Sequence, residues 1–136
     1  MSAPRSVNLL LFGHDGRLLL QFRDAAARVE PLCWGLWGGR IDPVDTSDVL
    51  SAAIREANEE LAIRTTSEDW TALHERSGSD GQSSTLLRYR QPVAWHDVSI
   101  REGAGAAFLR VEDLVGLTLH KRLRYYLEEH PALLRG

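Results

Sequence analysis

The segment Arg55-Glu56-Ala57-Asn58-Glu59-Glu60 concentrates three carboxylates at spacings of i, i+3 and i+4. On a helix that turns about 100° per residue, Glu56, Glu59 and Glu60 share roughly one third of the circumference. They lie beside an apolar stripe of Leu50, Ala53, Ile54, Ala57 and Leu61, so the acidic cluster borders the core. Glu56 and Glu60 are like charges four residues apart, which costs an isolated helix roughly 0.2–0.5 kcal/mol unless a cation lies between them. Hard oxygen donors converging at that spacing suit Mg2+ or Mn2+. An acidic triplet is equally the composition of a plain solvated helix face.

Upstream stands Trp34-Gly35-Leu36-Trp37-Gly38-Gly39-Arg40-Ile41-Asp42, in which Gly38-Gly39 permits a positive φ and a close backbone approach to a ligand. A glycine turn, a loop and then an acidic helix is an arrangement for holding phosphate and metal. Together these residues resemble the Nudix box, the signature of hydrolases that cleave a nucleoside diphosphate linked to another group. Gly39 stands where the box begins, Asp45 where the family usually has glutamate, Arg55-Glu56 at its Arg-Glu, and Glu59-Glu60 at its glutamate pair. Three departures are visible: two extra residues between Asp45 and Arg55, Asp45 itself, and Ala62 in place of the usual glycine.

The resemblance implies a Nudix-type fold, an α/β/α sandwich of the α+β kind with a mixed β-sheet flanked by helices. It implies that Glu56, Glu59 and Glu60 ligate Mg2+ or Mn2+ against substrate phosphates, with Glu59, Arg55 and Glu102 as the catalytic set. Arg55 would hold the glycine loop or a catalytic glutamate in place; its alternative is an i, i+4 salt bridge to Glu59, worth a few tenths of a kcal/mol. The family draws its general base from the box or from a later loop, where Glu102 is either that base or an ordinary exposed carboxylate. Arg23, Gly38, Gly39, Arg40 and Trp37 are the substrate-binding candidates. Arg23 and Arg40 can equally be solvated. Trp34 or Trp37 could stack on a nucleobase, worth about 1–3 kcal/mol, or pack in the core.

Composition narrows the surroundings. At 136 residues with 43% hydrophobic content, the chain reads as one domain over residues 1–136 with one core. Sixteen basic against 19 acidic residues give a net charge of −3, so no overall positive field draws the protein to nucleic acid or an anionic membrane. The lone Cys33 excludes an intrachain disulfide, and no Cys or His spacing fits zinc. Val7 to Phe12 is too short for a signal peptide or membrane span. The expectation is a cytoplasmic protein whose partner is a small nucleoside diphosphate derivative; a homodimer is compatible with the family. His14, His74, His96, His120 and His130 read as structural or surface residues, with His96 the one that could face a pocket.

The elements that must position this chemistry alternate in type. Ser6 to Phe12 and Arg17 to Arg23 read as antiparallel strands joined at His14-Asp15-Gly16. A short strand at Trp34 follows. N-cap candidates at Asp45 to Ser47 open a helix running to Ala62. Strands are expected over Trp70 to Arg76, Thr85 to Trp95 and Ala106 to Val111, with turns at Gly78 to Ser83 and Glu102-Gly103. Leu119, Leu123, Tyr126 and Leu127 form the apolar face of a terminal helix.

No Walker-type Gly-Lys-Ser/Thr, Gly-x-Gly-x-x-Gly or Gly-x-Ser-x-Gly motif is present, which removes support for kinase, dehydrogenase and serine-hydrolase chemistry. The expected function is metal-dependent hydrolysis of a phosphoanhydride bond by water attack at phosphorus. The alternative is a module that keeps the fold, senses a nucleotide metabolite and turns it over weakly or not at all.

Overall fold

The computed structural model describes residues 5–45, 48–78 and 81–136. Seven strands and two helices are β1 (Arg5–Leu10), β2 (Leu18–Phe22), β3 (Trp34–Gly35), β4 (Trp37–Arg40), α1 (Val49–Leu61), β5 (Trp70–Ser77), β6 (Ser83–Tyr89), β7 (Gly105–Leu109) and α2 (Lys121–Glu129) among those residues. They form two sheets, a mixed one in the order β4-β1-β6-β5 and an antiparallel one in the order β3-β2-β7.

Burial on both faces explains why Leu9-Leu10-Leu11-Phe12 is apolar throughout instead of alternating. Val7, Leu9 and Leu11 pack with Trp37, Leu87 and the Ala52, Ala53, Ala57 and Leu61 face of α1. Leu10 and Phe12 point the other way, onto Leu86 and the Leu123 and Tyr126 face of α2. The strands thus lie between the helices, an α+β sandwich.

The turn at His14-Asp15-Gly16 forms as expected, with Gly13 N–H donating to Arg17 O at 2.8 Å and Gly16 at a φ of 83°. The strands it joins do not form the expected hairpin. Pairing lasts through Phe12 and Leu18, and the two then diverge into different sheets. A strand has two edges. Those of β1 are taken by antiparallel β4 and parallel β6, and those of β2 by β3 and β7.

The expected long strand to Trp95 also stops early, at Tyr89, and residues 95–97 form a 3-10 turn. Pro92, which has no N–H for a ladder, lies in the interrupted stretch.

The N-cap of helix α1 falls one residue after the expected caps. Asp48 is the N-cap, its side chain accepting from Leu50 N–H at 3.2 Å. Asp45 is turned elsewhere, and Thr46 and Ser47 lie outside the described residues. The helix ends at Ala62, in the left-handed region with φ 58° and ψ 32°, its N–H returning to the Ala57 and Asn58 carbonyls. That conformation is the physical reason for a glycine at this position.

Candidate active site

Close packing of α1 on β4 sets the site. Gly38 adopts a φ of 123°, and a β-carbon there would run into the Val7 carbonyl of the neighbouring strand. A β-carbon on Gly39 would sit 2.6 Å from Glu56 Oε1. Glycine therefore admits the glutamates themselves to the edge of β4, and Gly38 N–H donates to Glu60 Oε1 at 3.0 Å. The Gly38 amide expected to face a ligand is spent on a carboxylate of its own chain.

Glu56 and Glu60 are both buried and stand against each other. Burial first, then the Glu56 carboxyl and the charge of Glu102, push Glu60 far above the ordinary carboxylate range, with the Gly38 amide opposing. Glu56 is raised as well, chiefly by burial, against the hydrogen bond it shares with Glu60 and the charge of Arg55. A proton or a cation must lie between two such groups.

Arg55 is the organiser. Its Nε and Nη2 donate to Asp45, each at 2.9 Å, and Nη2 also donates to the Arg40 carbonyl at 2.9 Å. Nη1 reaches Glu59 Oε2 at 3.1 Å and Glu56 Oε1 at 3.2 Å. Both readings of this arginine therefore coexist: it braces the end of the glycine strand and salt-links Glu59. The hydrogen bonds from Arg55 hold the buried Asp45 carboxyl below its usual range. Asp45 in turn accepts from Asp42 N–H at 2.8 Å and so shapes the loop.

The expected trio is thus divided. Glu56 and Glu60 come together, while Glu59 is half exposed and held by Arg55. Among the described residues no three His, Cys, Asp or Glu side chains are already gathered around a metal position. Two converging carboxylates with hard oxygens still suit Mg2+, which is commonly bound through one or two carboxylates, with water and substrate phosphates completing its shell.

Glu102 is delivered from another part of the chain. Ser99 and Arg101 N–H donate to the Leu61 and Glu60 carbonyls, both at 2.9 Å, tying its loop to the end of α1. Gly103, at a φ of 88° against Gln21 and Phe22, makes the turn that follows. Glu102 is exposed, and its charge is felt by both Glu56 and Glu60.

The substrate candidates separate. Arg23 is braced on the Glu30 and Val29 carbonyls at 3.1 and 2.8 Å and borders two clefts. Arg40 is exposed and lines one of them with Gly38 and Gly39. Trp37 is a correction: it is fully buried, its indole N–H donating to Leu19 O at 3.0 Å, so it offers no face to a nucleobase. Trp34 is half-buried against Phe22. His96 is 85% exposed and lines none of these clefts.

Ser6, Asn8, Lys121 and Arg122, none of them a candidate from the sequence, line the cleft beside Gly38-Gly39 together with His120, which was expected to be structural or on the surface. One signal was legible: Ser6 and Asn8 are polar residues alternating with Val7 and Leu9 at the start of an apolar strand.

The structure superposes with a TM-score of 0.77 and 17% identity on a MutT from a comparison of Aliivibrio salmonicida and Vibrio cholerae, covering 97% of this chain and 99% of that one. It is similar to a MutT Nudix hydrolase from Burkholderia pseudomallei at 26% identity and a TM-score of 0.70, over 96% of this chain and 99% of the other. The NUDIX domain of Shewanella oneidensis NrtR, solved with ADP ribose, matches at 16% identity and 0.73, over 98% and 90% of the two chains. No curated protein gives a significant match. The NUDIX domain family model matches residues 2–129, and on that match, together with the box geometry, the chain belongs to the Nudix family.

Proposed function

We propose that this Nudix protein is a divalent-metal-dependent pyrophosphohydrolase that splits a nucleoside diphosphate derivative into a nucleoside monophosphate and a phosphorylated remainder. The observation that carries this reading is the buried Glu56 and Glu60 pair, crowded against Gly38-Gly39 and facing the charge of Glu102. Three carboxylates of that kind are stable together with a cation. Glu56 and Glu60 would hold Mg2+ or Mn2+, and Glu59, whose link to Arg55 is worth little at an exposed position, would be free to join them. When bound, the ion neutralises phosphate charge and lowers the pKa of water.

Arg55 keeps the end of β4 and the start of α1 at a fixed separation by bonding Asp45 and the Arg40 carbonyl at once. Glu102 has no ion pair among the described residues and, with Glu59 assigned to the ion, is the carboxylate left to take the proton from the attacking water. The water oxygen bonds to phosphorus, the bridging P–O bond breaks, and the departing phosphate carries the electron pair. Arg23 and Arg40 lie where an anionic diphosphate would run along the glycine edge. The cytoplasm suits the buried thiol of Cys33, and no described helix is long and apolar enough to cross a membrane.

The sensor reading draws on the salt-linked Glu59. A panel of nucleoside diphosphate derivatives headed by ADP ribose, the ligand of the Shewanella oneidensis domain, separates the two. Mg2+- or Mn2+-dependent release of a nucleoside monophosphate, abolished by EDTA, supports the hydrolase. Binding across the panel with no turnover overturns it in favour of the sensor.

A further inference from the structure

Beside Gly38-Gly39 lies a cleft of about 380 Å³ with a chemistry opposite to that of the glutamates. Arg40, Lys121 and Arg122 line it with His120, and Arg23 borders it. Among the described residues no carboxylate and no Phe, Tyr or Trp ring lines it. The His120 imidazole and the guanidinium planes are the surfaces it offers a nucleobase for stacking.

Ser6 and Asn8, alternate residues of β1, present their side chains on one face of the strand. Each is 5% exposed and lines the cleft, and Ser6 Oγ and Asn8 Nδ2 have no hydrogen-bond partner. Buried polar groups left unpaired are costly, and a ligand oxygen between them would satisfy both. Arg122 adds a half-buried guanidinium with no ion pair or side-chain hydrogen bond among the described residues. Its pKa is lowered, first by burial, with Arg76 and Arg23 also disfavouring its charge. Glu30 meets this wall, Oε1 accepting from Lys121 N–H at 2.9 Å, while its buried Oε2, 3.4 Å from His120 Nε2, has no hydrogen-bond partner. The cleft is left with positive charge and unused donors.

We propose that this cleft binds a phosphomonoester carried by the substrate in addition to its scissile diphosphate, an inference that rests on the nucleotide-hydrolase reading above. Arg122 and Lys121 supply the charge, and Ser6 Oγ and Asn8 Nδ2 supply directional donors. The extra phosphate can sit on the nucleoside ribose or on the group at the far end of the diphosphate. ADP ribose, its 2′-phosphate and its 1″-phosphate distinguish these two sources.

The test is calorimetric titration of the whole protein with the three compounds in EDTA, where no turnover occurs, followed by kcat and KM for each with Mg2+. At least one phosphorylated form should bind tenfold or more tightly than ADP ribose, with the gain in KM and not in kcat. Arg122→Gln should erase that preference, and Arg122→Lys should restore part of it. Lys121→Gln, at an exposed position, should weaken it even if Arg122→Gln fails to fold. Equal affinity for all three compounds, or a preference untouched by both Gln substitutions, overturns the proposal. Hydrolysis without discrimination would remove this pocket assignment and leave the hydrolase standing; discrimination in EDTA without any hydrolysis would do the reverse.

Discussion

Two buried carboxylates in contact are stable only with a shared proton or a cation, and Glu60 beside Glu56 is in that position. Glu60→Gln keeps the shape and an acceptor for Gly38 N–H while removing the charge. In steady-state assays with Mg2+ it should lower kcat by about 100-fold or more, the several kcal/mol that metal stabilisation supplies. Its melting temperature in EDTA should not fall. Glu59→Gln should also cost activity without loss of fold, and unchanged turnover in both variants would remove these glutamates from the mechanism. Asp45 makes the opposite kind of prediction. The hydrogen bonds from Arg55 depress its pKa below the ordinary aspartate value of 3.8, so the folded protein binds fewer protons there than the unfolded chain. Its contribution is complete above that value and is lost as pH falls through the depressed one. Asp45→Asn should cost about 1–3 kcal/mol in urea melts at pH 7 by removing the charged acceptor that Arg55 bonds twice, while Glu56, Glu59 and the Arg40 carbonyl remain beside it. The gap to the native protein should narrow as the pH is taken below 3.8.

Strand β4 and helix α1 work as a unit because their facing residues are small: Gly38, Gly39, Ala52, Ala53 and Ala57 let the helix approach until its glutamates reach the strand edge. Gly38→Ala combines an unfavourable φ of 123° with a collision against Val7 O. We expect a loss of about 3 kcal/mol or more, read as a lower urea midpoint or insoluble protein. At the other end of α1, Ala62 holds a left-handed conformation that glycine adopts freely. Ala62→Gly should therefore raise stability by up to about 1 kcal/mol, and a decrease would show that Ala62 contributes packing that outweighs its strain.

For the whole molecule, the two sheets and two helices bring residues from distant parts of the chain to one edge. Arg101 N–H bonds the Glu60 carbonyl, placing Glu102 beside the box, while the first turn of α2 closes the cationic cleft against Gly38-Gly39. Metal binding at a site so assembled is linked to global stability. Mg2+ at about 100 times its Kd should stabilise the fold by about 2.7 kcal/mol, visible as a rise in melting temperature that EDTA reverses. The rise should be absent in Glu60→Gln. Equal melting curves with and without Mg2+ or Mn2+ would argue that the glutamates share protons instead of a cation.

The register of Glu56, Glu59 and Glu60, the apolar face of α1, the turn at His14-Asp15-Gly16 and the need for glycine at Gly38-Gly39 were all legible in the sequence. Each depends on local geometry, on a period of 100° or on one residue's φ, that a stretch of chain carries with it. The fold class was legible through the box. The tertiary structure decided the rest: β1 and β2 part into different sheets, Trp37 is sealed in the core, Arg55 salt-links Glu59 and Glu56 through one nitrogen, and Ser6, Asn8 and Arg122 share one cleft. A turn reverses the chain but does not choose which strand fills each edge, and a side chain's type does not say which neighbour will meet its charge. Those outcomes follow from long-range packing, where separated segments compete for the same surfaces.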